Sequence, residues 1–169
     1  MIIHKSNQSI TQTVQVLKAG GVIIVPTDTV YGFSGICEPS LKTDDRIRHI
    51  KGREESKPLI KLIASPSQIH SYTDDEIPKT LLDMWPGPLT VIVHDKDGQG
   101  TTAYRCPSDP WLCKVIEQCG YPIFSTSVNK SGQSVLETES EICSVFEKDC
   151  DLIVLDGDRK NAKPSTIVK

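Results

Sequence analysis

Residues 9–26 read SITQTVQVLKAGGVIIVP, in which the pattern of a helix is followed directly by that of a buried strand. The apolar residues of the first part recur at the spacing of one helix face and predict a helix over 9–19, ended by Gly20-Gly21. These apolar residues are Ile10, Val14 and Leu17. The run VIIV at 22–25 is too short and too β-branched for a helix, so it predicts a strand buried on both faces.

The rest of the chain continues this alternation. Further helices are expected over 44–50, from Ser65 onward, over 77–85, from Pro110 to near Gly120 and over 140–146, and further strands over 59–64, 89–94, 101–105, 121–127, 152–155 and 166–168. The stretch from Pro26 to Pro39 is rich in turn residues. No repeat or linker interrupts the alternation, so the sequence predicts one α/β, or mixed α+β, domain over 1–169.

The composition is that of an ordinary globular protein. Hydrophobic residues make up 37% and charged residues 24% of the chain, a balance that excludes collagen-like and disordered classes. The 19 Lys and Arg against 22 Asp and Glu give a net charge of -3, which excludes bulk attraction to nucleic-acid phosphates as the main activity. The longest apolar run is far shorter than a membrane span, and the N-terminus lacks a signal-peptide pattern, so a cytoplasmic protein is expected.

The cysteines and histidines do not follow a metal-binding or disulfide pattern. The six cysteines include no C-x-x-C pair, and several lie at apolar positions of predicted helices. The favoured interpretation is free buried thiols in a reducing compartment, with zinc and disulfides as the alternatives. The four histidines are scattered along the chain, so no protein-held transition metal is expected.

Four turn-rich segments carry the polar residues from which a binding site could be built. They are PTDTVYG at 26–32, KGR at 51–53 with Lys57, STSVNKSG at 125–132 and PST at 164–166. Ordinary turn chemistry explains Thr-Asp-Thr, and a solvated charge cluster explains the three cations. A Lys-x-Arg pair also forms a phosphate clamp, and polar residues at the carboxyl end of a strand commonly meet a ligand in α/β sheets. The chain has neither of the common glycine-rich nucleotide-binding patterns, G-x-x-x-x-G-K-[ST] and G-x-G-x-x-G.

Taken in order, the segments resemble those of the YrdC-like family of threonylcarbamoyl-adenylate synthases. The resemblance covers nearly the whole chain and rests on PTDTVYG, KGR followed by KPL, WPGPLT, RCP, STSVNKSG and PSTIV. It implies a twisted, open mixed sheet with helices on its faces around a concave cavity. It also implies that L-threonine, bicarbonate and ATP react to give threonylcarbamoyl-AMP and pyrophosphate, with Mg²⁺ arriving with the ATP.

The product would serve the N6-threonylcarbamoyladenosine modification of tRNA. A downstream threonylcarbamoyl-transferase complex and tRNA would therefore be indirect partners, and no membrane is involved. Catalysis in such a site depends on positioning and on neutralising phosphate charge, and no Ser-His or Cys-His nucleophile is expected.

The resemblance also implies roles for individual residues. The catalytic group would be Lys51, Arg53, Ser127 and Asn129. Threonine would be bound by Thr29, Tyr31, Arg105 and Ser165. ATP would be bound by Lys51, Arg53, Lys57, Thr101, Ser127, Asn129 and Ser131.

Two other functions remain open at this point. A non-catalytic RNA-binding or ribosome-associated module of the same fold could use a basic cavity lining, but the net negative charge and the 5% aromatic content oppose it. Carbamoyl-adenylate chemistry in hydrogenase maturation would require an acylphosphatase domain, zinc-finger cysteines and a much longer chain. None of these is present in residues 1–169, so threonylcarbamoyl-AMP synthesis is the preferred interpretation.

Overall fold

The computed structural model describes residues 1–169, which form five α-helices and nine β-strands. The helices are α1 (Ser9–Lys18), α2 (Thr43–Lys51), α3 (Lys79–Leu82), α4 (Pro110–Cys119) and α5 (Glu139–Phe146). The strands are β1 (Ile2–His4), β2 (Ile23–Val25), β3 (Gly32–Ser34), β4 (Ile60–Leu62), β5 (Leu89–His94), β6 (Thr101–Arg105), β7 (Ile123–Ser127), β8 (Leu152–Leu155) and β9 (Thr166–Val168). None of the five helices combines the length and the apolar composition that a bilayer crossing requires.

All nine strands belong to one mixed sheet, in the order β1-β8-β2-β3-β7-β4-β6-β5-β9. Strand β8 runs parallel to β1 and β2, whereas β3 is antiparallel to both of its neighbours, β2 and β7. In the other half, β4 is antiparallel to β7 and parallel to β6, and β5 is antiparallel to β6 and parallel to β9. The predicted α/β class with a mixed sheet is confirmed.

Helices cover both faces of the first half of the sheet. Helices α1 and α4 pack on one face against Ile23 and Val25, while α2 and α5 pack on the other against Val22 and Ile24. Successive side chains of a strand point to opposite faces, so the run VIIV is apolar throughout because both of its faces are buried. The prediction of a buried strand is confirmed, and the strand begins at Ile23.

The second half of the sheet is arranged differently. Leu89, Val91 and Val93 of β5 and Tyr104 of β6 belong to a third apolar cluster with Trp85 on one face. The residues that alternate with them, Ile92 and Ala103, line a cavity instead. The sheet therefore uses one face of β5 and β6 for stability and leaves the other open to a ligand.

The sequence pattern does not predict β1 or β3, and it predicts a longer α3. Strand β1 pairs with β8, and β3 lies within the turn-rich stretch between β2 and β7. Each has only three residues, too few to show a period, and each pairs with a strand distant in sequence, β1 with β8 and β3 with β7, although β3 also pairs with the nearby β2. Helix α3 is shorter than the helix expected over 77–85, because Pro78 precedes its first turn and the chain leaves the helix at Asp83.

The cysteines are free thiols. Cys106, Cys119 and Cys150 are buried, and the other three are partly exposed. Burial raises the pKa of Cys150 to about 12, so this thiol stays protonated and unreactive at neutral pH. No group of three or more His, Cys, Asp or Glu side chains is placed to share a metal ion.

Candidate functional site

A cavity of about 370 Å³ opens on the face of the sheet described above. Its volume lies in the range of small-molecule sites. Seven of the eleven predicted site residues line it, namely Thr29, Tyr31, Arg53, Lys57, Arg105, Ser127 and Ser165. The structure thus brings together residues from all four of the polar segments noted in the sequence.

Arg105, the last residue of β6, is fixed in one orientation in this cavity. Its Nε donates to the carbonyl of Gly87 at 3.1 Å, its Nη1 donates to Thr29 Oγ1 at 2.9 Å, and its Nη2 is paired with the Asp28 carboxylate. Only 6% of the Arg105 side chain is exposed. A guanidinium held on three sides keeps its remaining N–H groups in a fixed direction, which suits binding of a carboxylate.

Asp28 is the partner that holds this guanidinium, and sequence reasoning did not single it out. Its carboxylate also accepts hydrogen bonds from the Ser108 amide at 3.0 Å and the Ser108 hydroxyl at 2.8 Å. Burial by itself raises the pKa of Asp28, but the hydrogen bond from the Ser108 amide and the charge of Arg105 outweigh it, and the net pKa is lowered. Asp28 is therefore ionised and paired. The only signal in the sequence was its position inside PTDTVYG.

Thr29 and Tyr31 use their hydroxyl groups within the protein. The two hydroxyl oxygens of Thr27 and Thr29 lie 3.0 Å apart, and Thr27 Oγ1 also accepts the amide of Thr29 at 3.0 Å. The Tyr31 hydroxyl donates to the Gly157 carbonyl at 2.8 Å and accepts from the Asp156 amide at 2.8 Å. Burial raises the pKa of Tyr31 to about 12, so the phenol is neutral. Tyr31 is among the residues at the cavity, but its side chain is fully buried in the apolar cluster shared with α2 and α5.

Arg53 and Lys57 supply positive charge on another side of the cavity. Helix α2 ends at Gly52 in the left-handed conformation, with φ at 64°, and this turn carries Arg53 to the cavity lining. The Nη2 of Arg53 donates to the Pro58 carbonyl at 3.0 Å. Lys57 has Glu54 as its ion partner at 3.7 Å, and both side chains are more than half exposed, so this pair is weak. Both cations remain available to an anion.

Lys51 and Asn129 lie beneath the cavity rather than in its lining. Lys51 is 2% exposed, and its Nζ donates to the carbonyl of Ser127 and to the carbonyl and side chain of Asn129. Burial lowers the pKa of Lys51 to about 8, and the charge of Arg53 contributes to the same shift. Ser127 lies between the two environments, because it lines the cavity and its hydroxyl donates to Asn129 Oδ1 at 2.7 Å.

Of the three remaining predicted site residues, only Ser165 lines the cavity. Ser165, just before β9, lines the cavity with its hydroxyl 2.7 Å from Thr90 Oγ1. Thr101 is exposed at the start of β6, opposite His94, and lies outside the cavity lining. Ser131 also lies outside the lining, and its amide donates to the carbonyl of Lys51 at 2.8 Å.

Ser125 and three apolar residues line the cavity without having been named as site residues, although Ser125 belongs to the segment STSVNKSG. Ser125 lies two positions before Ser127 in β7 and therefore on the same face, a signal that strand alternation could have provided. The apolar floor consists of Ile60, Ile92 and Ala103, whose sequence pattern is that of core strands. A site with three cations, small hydroxyl residues, an apolar floor and no carboxylate in its lining is suited to an anionic ligand that has an apolar part.

Comparison with known proteins places this geometry in a family. A family model for Sua5, YciO and YrdC proteins, described as "Telomere recombination", matches residues 15–169. The putative threonylcarbamoyl-AMP synthase of Methanocaldococcus jannaschii is 32% identical over 161 residues, covering 89% of this chain and 74% of that protein. The threonylcarbamoyl-AMP synthase of Marinobacter nauticus is 30% identical over 167 residues, covering 91% and 87%.

The chain spans about half the length of the mammalian relatives it matches. The match to the threonylcarbamoyl-AMP synthase of Rattus norvegicus covers 75% of this chain and 48% of that protein, at 31% identity.

Solved structures share the whole fold. The structure of P. abyssi Sua5 complexed with L-threonine superposes with a TM-score of 0.87 at 27% identity, covering 99% of this chain and 53% of that one. E. coli YciO superposes with a TM-score of 0.83 at 27% identity, covering 99% and 87%. The sequence match over nearly all of the chain and the shared fold agree, and the chain belongs to the Sua5/YciO/YrdC family.

Proposed function

We propose that this protein is a threonylcarbamoyl-AMP synthase, which converts L-threonine, bicarbonate and ATP into L-threonylcarbamoyl-AMP and pyrophosphate. The observation that carries the proposal is the presence of two separate cationic groups in one cavity, Arg105 after β6 and Arg53 with Lys57 after α2. A carboxylate and a polyphosphate are the two anions that such a pair of groups would bind. The names of the curated relatives and the Sua5 complex with L-threonine support the same assignment.

At the first group, Arg105 would bind the threonine carboxylate. Its guanidinium is already oriented by Asp28 and Thr29, so little side-chain entropy is lost when a carboxylate arrives. The hydroxyl of Ser165 lines the same cavity and is available to the polar groups of threonine. Tyr31 has no free hydroxyl to offer, since its oxygen is hydrogen-bonded on both sides.

At the second group, Arg53 and Lys57 would bind the phosphates of ATP. Mg²⁺ would arrive with the nucleotide as part of the substrate. The apolar residues Ile92 and Ala103 would offer a surface for the adenine ring. The remaining ATP contacts expected from the family pattern, Thr101 and Ser131, lie outside the lining of this cavity.

The reaction would proceed in two steps. Bicarbonate loses hydroxide to give CO₂, and this hydroxide takes a proton from the threonine ammonium and becomes water. The free amine attacks the carbon of CO₂, and a second proton passes from the nitrogen to solvent, which leaves the carbamate. A carbamate oxygen then attacks the α-phosphorus of ATP, and the bond from that phosphorus to the leaving pyrophosphate breaks. The lining contains neither a carboxylate nor a histidine, so what this chain supplies is positioning and neutralisation of phosphate charge.

The product would be passed to a threonylcarbamoyl-transferase complex that modifies tRNA, so tRNA would be an indirect partner. The proposed compartment is the cytoplasm, where six free cysteines would remain reduced.

Pyrophosphate release from ATP tests this function, with threonine and bicarbonate omitted in turn. We expect release only when both are present, and Arg53→Ala should reduce it at least tenfold because one charge-assisted phosphate contact is lost. Lys148→Ala, at an exposed lysine after α5, is the matched control and should behave as the wild type. Equal release without threonine would reject the proposal.

A further inference from the structure

The end of α2 is fastened to the turn that follows β7 by the side chain of Lys51. Its ammonium donates three hydrogen bonds, to the carbonyl of Ser127, to the carbonyl of Asn129 at 2.9 Å and to Asn129 Oδ1 at 2.9 Å. An ammonium has three N–H donors, so all of them are used. With 2% of the residue exposed, Lys51 has neither a free donor nor an open path to a ligand.

The same two segments are joined in the reverse direction. Lys130 Nζ donates to the carbonyl of Ile50 at 2.6 Å, and the Ser131 amide donates to the carbonyl of Lys51 at 2.8 Å. These carbonyls belong to the last turn of α2 and have no partner within the helix. A cation at a helix C-terminus is also favoured by the helix dipole. We call this arrangement of Lys51, Asn129, Lys130 and Ser131 the α2 clamp.

The side chain of Asn129 is equally occupied. Its Oδ1 accepts from Lys51 and from the Ser127 hydroxyl at 2.7 Å, and its Nδ2 donates to the carbonyls of Lys130 at 3.0 Å and Gln133 at 2.8 Å. Four hydrogen bonds exhaust the capacity of a side-chain amide. Neither Lys51 nor Asn129 lines the cavity, whereas Ser127 and Arg53, which lie next to the clamp on its two segments, both do.

We propose that Lys51 and Asn129 are positioning residues, which hold Ser127 and Arg53 in place around the substrate and do not contact the phosphates themselves. The catalytic consequence rests on the proposed function. If Lys51 Nζ moved to a phosphate, the carbonyl oxygens of Ser127 and Asn129 would lose its hydrogen bonds, which is costly at a buried position, and Asn129 Oδ1 would keep only the bond from the Ser127 hydroxyl. The other cations of the cavity are less constrained, because the two carbonyl contacts of Arg53 are exposed and Lys57 has only its weak pair with Glu54.

The first test uses amide hydrogen exchange in the ligand-free protein. Lys51→Met should speed exchange at the amides of Ser131 and Leu136, which bond to the carbonyls of Lys51 and Val128, by about tenfold or more. Lys148→Met replaces an exposed lysine in the same way and should leave both amides unchanged. Unchanged exchange in Lys51→Met would overturn the clamp.

The second test uses the conservative variant Lys51→Arg. An arginine binds phosphate at least as well as lysine, but its planar fork cannot donate to three oxygens that converge on one buried point. The clamp predicts that Lys51→Arg lowers turnover about as much as Lys51→Met, with a larger effect on kcat than on the KM for ATP. Retention of most of the activity in Lys51→Arg would show a phosphate contact and overturn the proposal.

A third measurement needs no variant and covers the case in which Lys51→Arg fails to fold. Pyrophosphate is titrated into the wild-type protein while the Lys51 ammonium and Arg53 Nε resonances are followed by NMR. The clamp predicts a shift at Arg53 and none at Lys51, and a shift at Lys51 would contradict it. Hydrogen exchange tests the α2 clamp without an enzyme assay, whereas turnover of the wild type tests the proposed function. Failure of the clamp can therefore be distinguished from failure of the proposed function.

Discussion

Replacing Asp28 with asparagine should destabilise the protein strongly, because the change leaves the buried charge of Arg105 without its partner. The two side chains are 6% and 12% exposed, and Asp28 also accepts two hydrogen bonds from Ser108. Removing one member of a buried ion pair costs about 3–5 kcal/mol, and the amide of asparagine can replace part of the lost hydrogen bonding. We therefore expect a loss of about 3 kcal/mol. In a chain of this size that loss corresponds to a fall of roughly 10 °C in Tm.

Urea denaturation of wild type and Asp28→Asn measures this loss, and Asp83→Asn is the matched control. Asp83 pairs with Lys79 on the surface, where the side chains are 60% and 84% exposed, so its replacement should change stability by at most about 0.5 kcal/mol. Equal stability of Asp28→Asn and Asp83→Asn would show that the buried pair of Arg105 and Asp28 does not stabilise the fold.

The same pair has a defined pH dependence. The folded pKa of Asp28 is lowered from its ordinary value of 3.8, so its contribution is present above that value and is lost as the pH falls through the folded pKa. The difference between wild type and Asp28→Asn should therefore be full at neutral pH and shrink in acid. A difference that grows in acid would contradict the assignment of the charge.

Three further predictions concern the cavity and the turn beside it. Gly32→Ala would place a Cβ 3.0 Å from Ser125 Oγ at the cavity lining. The KM values for the substrates should therefore rise, while Tm changes little. Unchanged KM values would show that no substrate lies beside Gly32. The pKa of Lys51 is lowered from 10.5 to about 8. Wild type should therefore gain stability relative to Lys51→Met as the pH rises from about 8 to 10.5, where the unfolded chain binds a proton that the folded protein has lost. Urea denaturation at several pH values measures this gain. Val128 is fully buried, so Val128→Ala should lower the free energy of unfolding by about 2 kcal/mol. It should nevertheless lower turnover far less than Asn129→Ala does. The reverse order of turnover would show that this turn is not part of the site.

An element could be predicted from the sequence where its own residues form a clear pattern. The run at 22–25 could be identified as buried because every residue is apolar, and the structure places helices on both of its faces. Strand β1 could not be identified, because its three residues are ordered by β8, which lies at the other end of the chain. Strand β3 could not be identified either, because Gly32–Ser34 lies in a turn-rich stretch and is paired on one side with the distant β7 and on the other with β2.

Residues of the site could be predicted where they belong to a short sequence motif. Arg53 was expected from its Lys-x-Arg pair and Arg105 only from the family resemblance, and both lie in the cavity lining. The pairing of Arg105 with Asp28 joins residues far apart in sequence, so no local pattern could show it. The sequence also cannot tell a lysine that faces a ligand from one that is buried, and Lys51 is distinguished from Lys57 only by the oxygens that surround it.

The central claim is that this cavity joins threonine, bicarbonate and ATP, and the most direct measurement is the fate of the bicarbonate carbon. Wild-type protein is incubated with isotopically labelled bicarbonate, L-threonine and Mg-ATP, and the nucleotides formed are identified by mass spectrometry. The account predicts threonylcarbamoyl-AMP that carries the label, formed together with pyrophosphate, dependent on threonine and strongly reduced in Arg53→Ala. Nucleotide products without the label, or labelled product that is undiminished in Arg53→Ala, would contradict it.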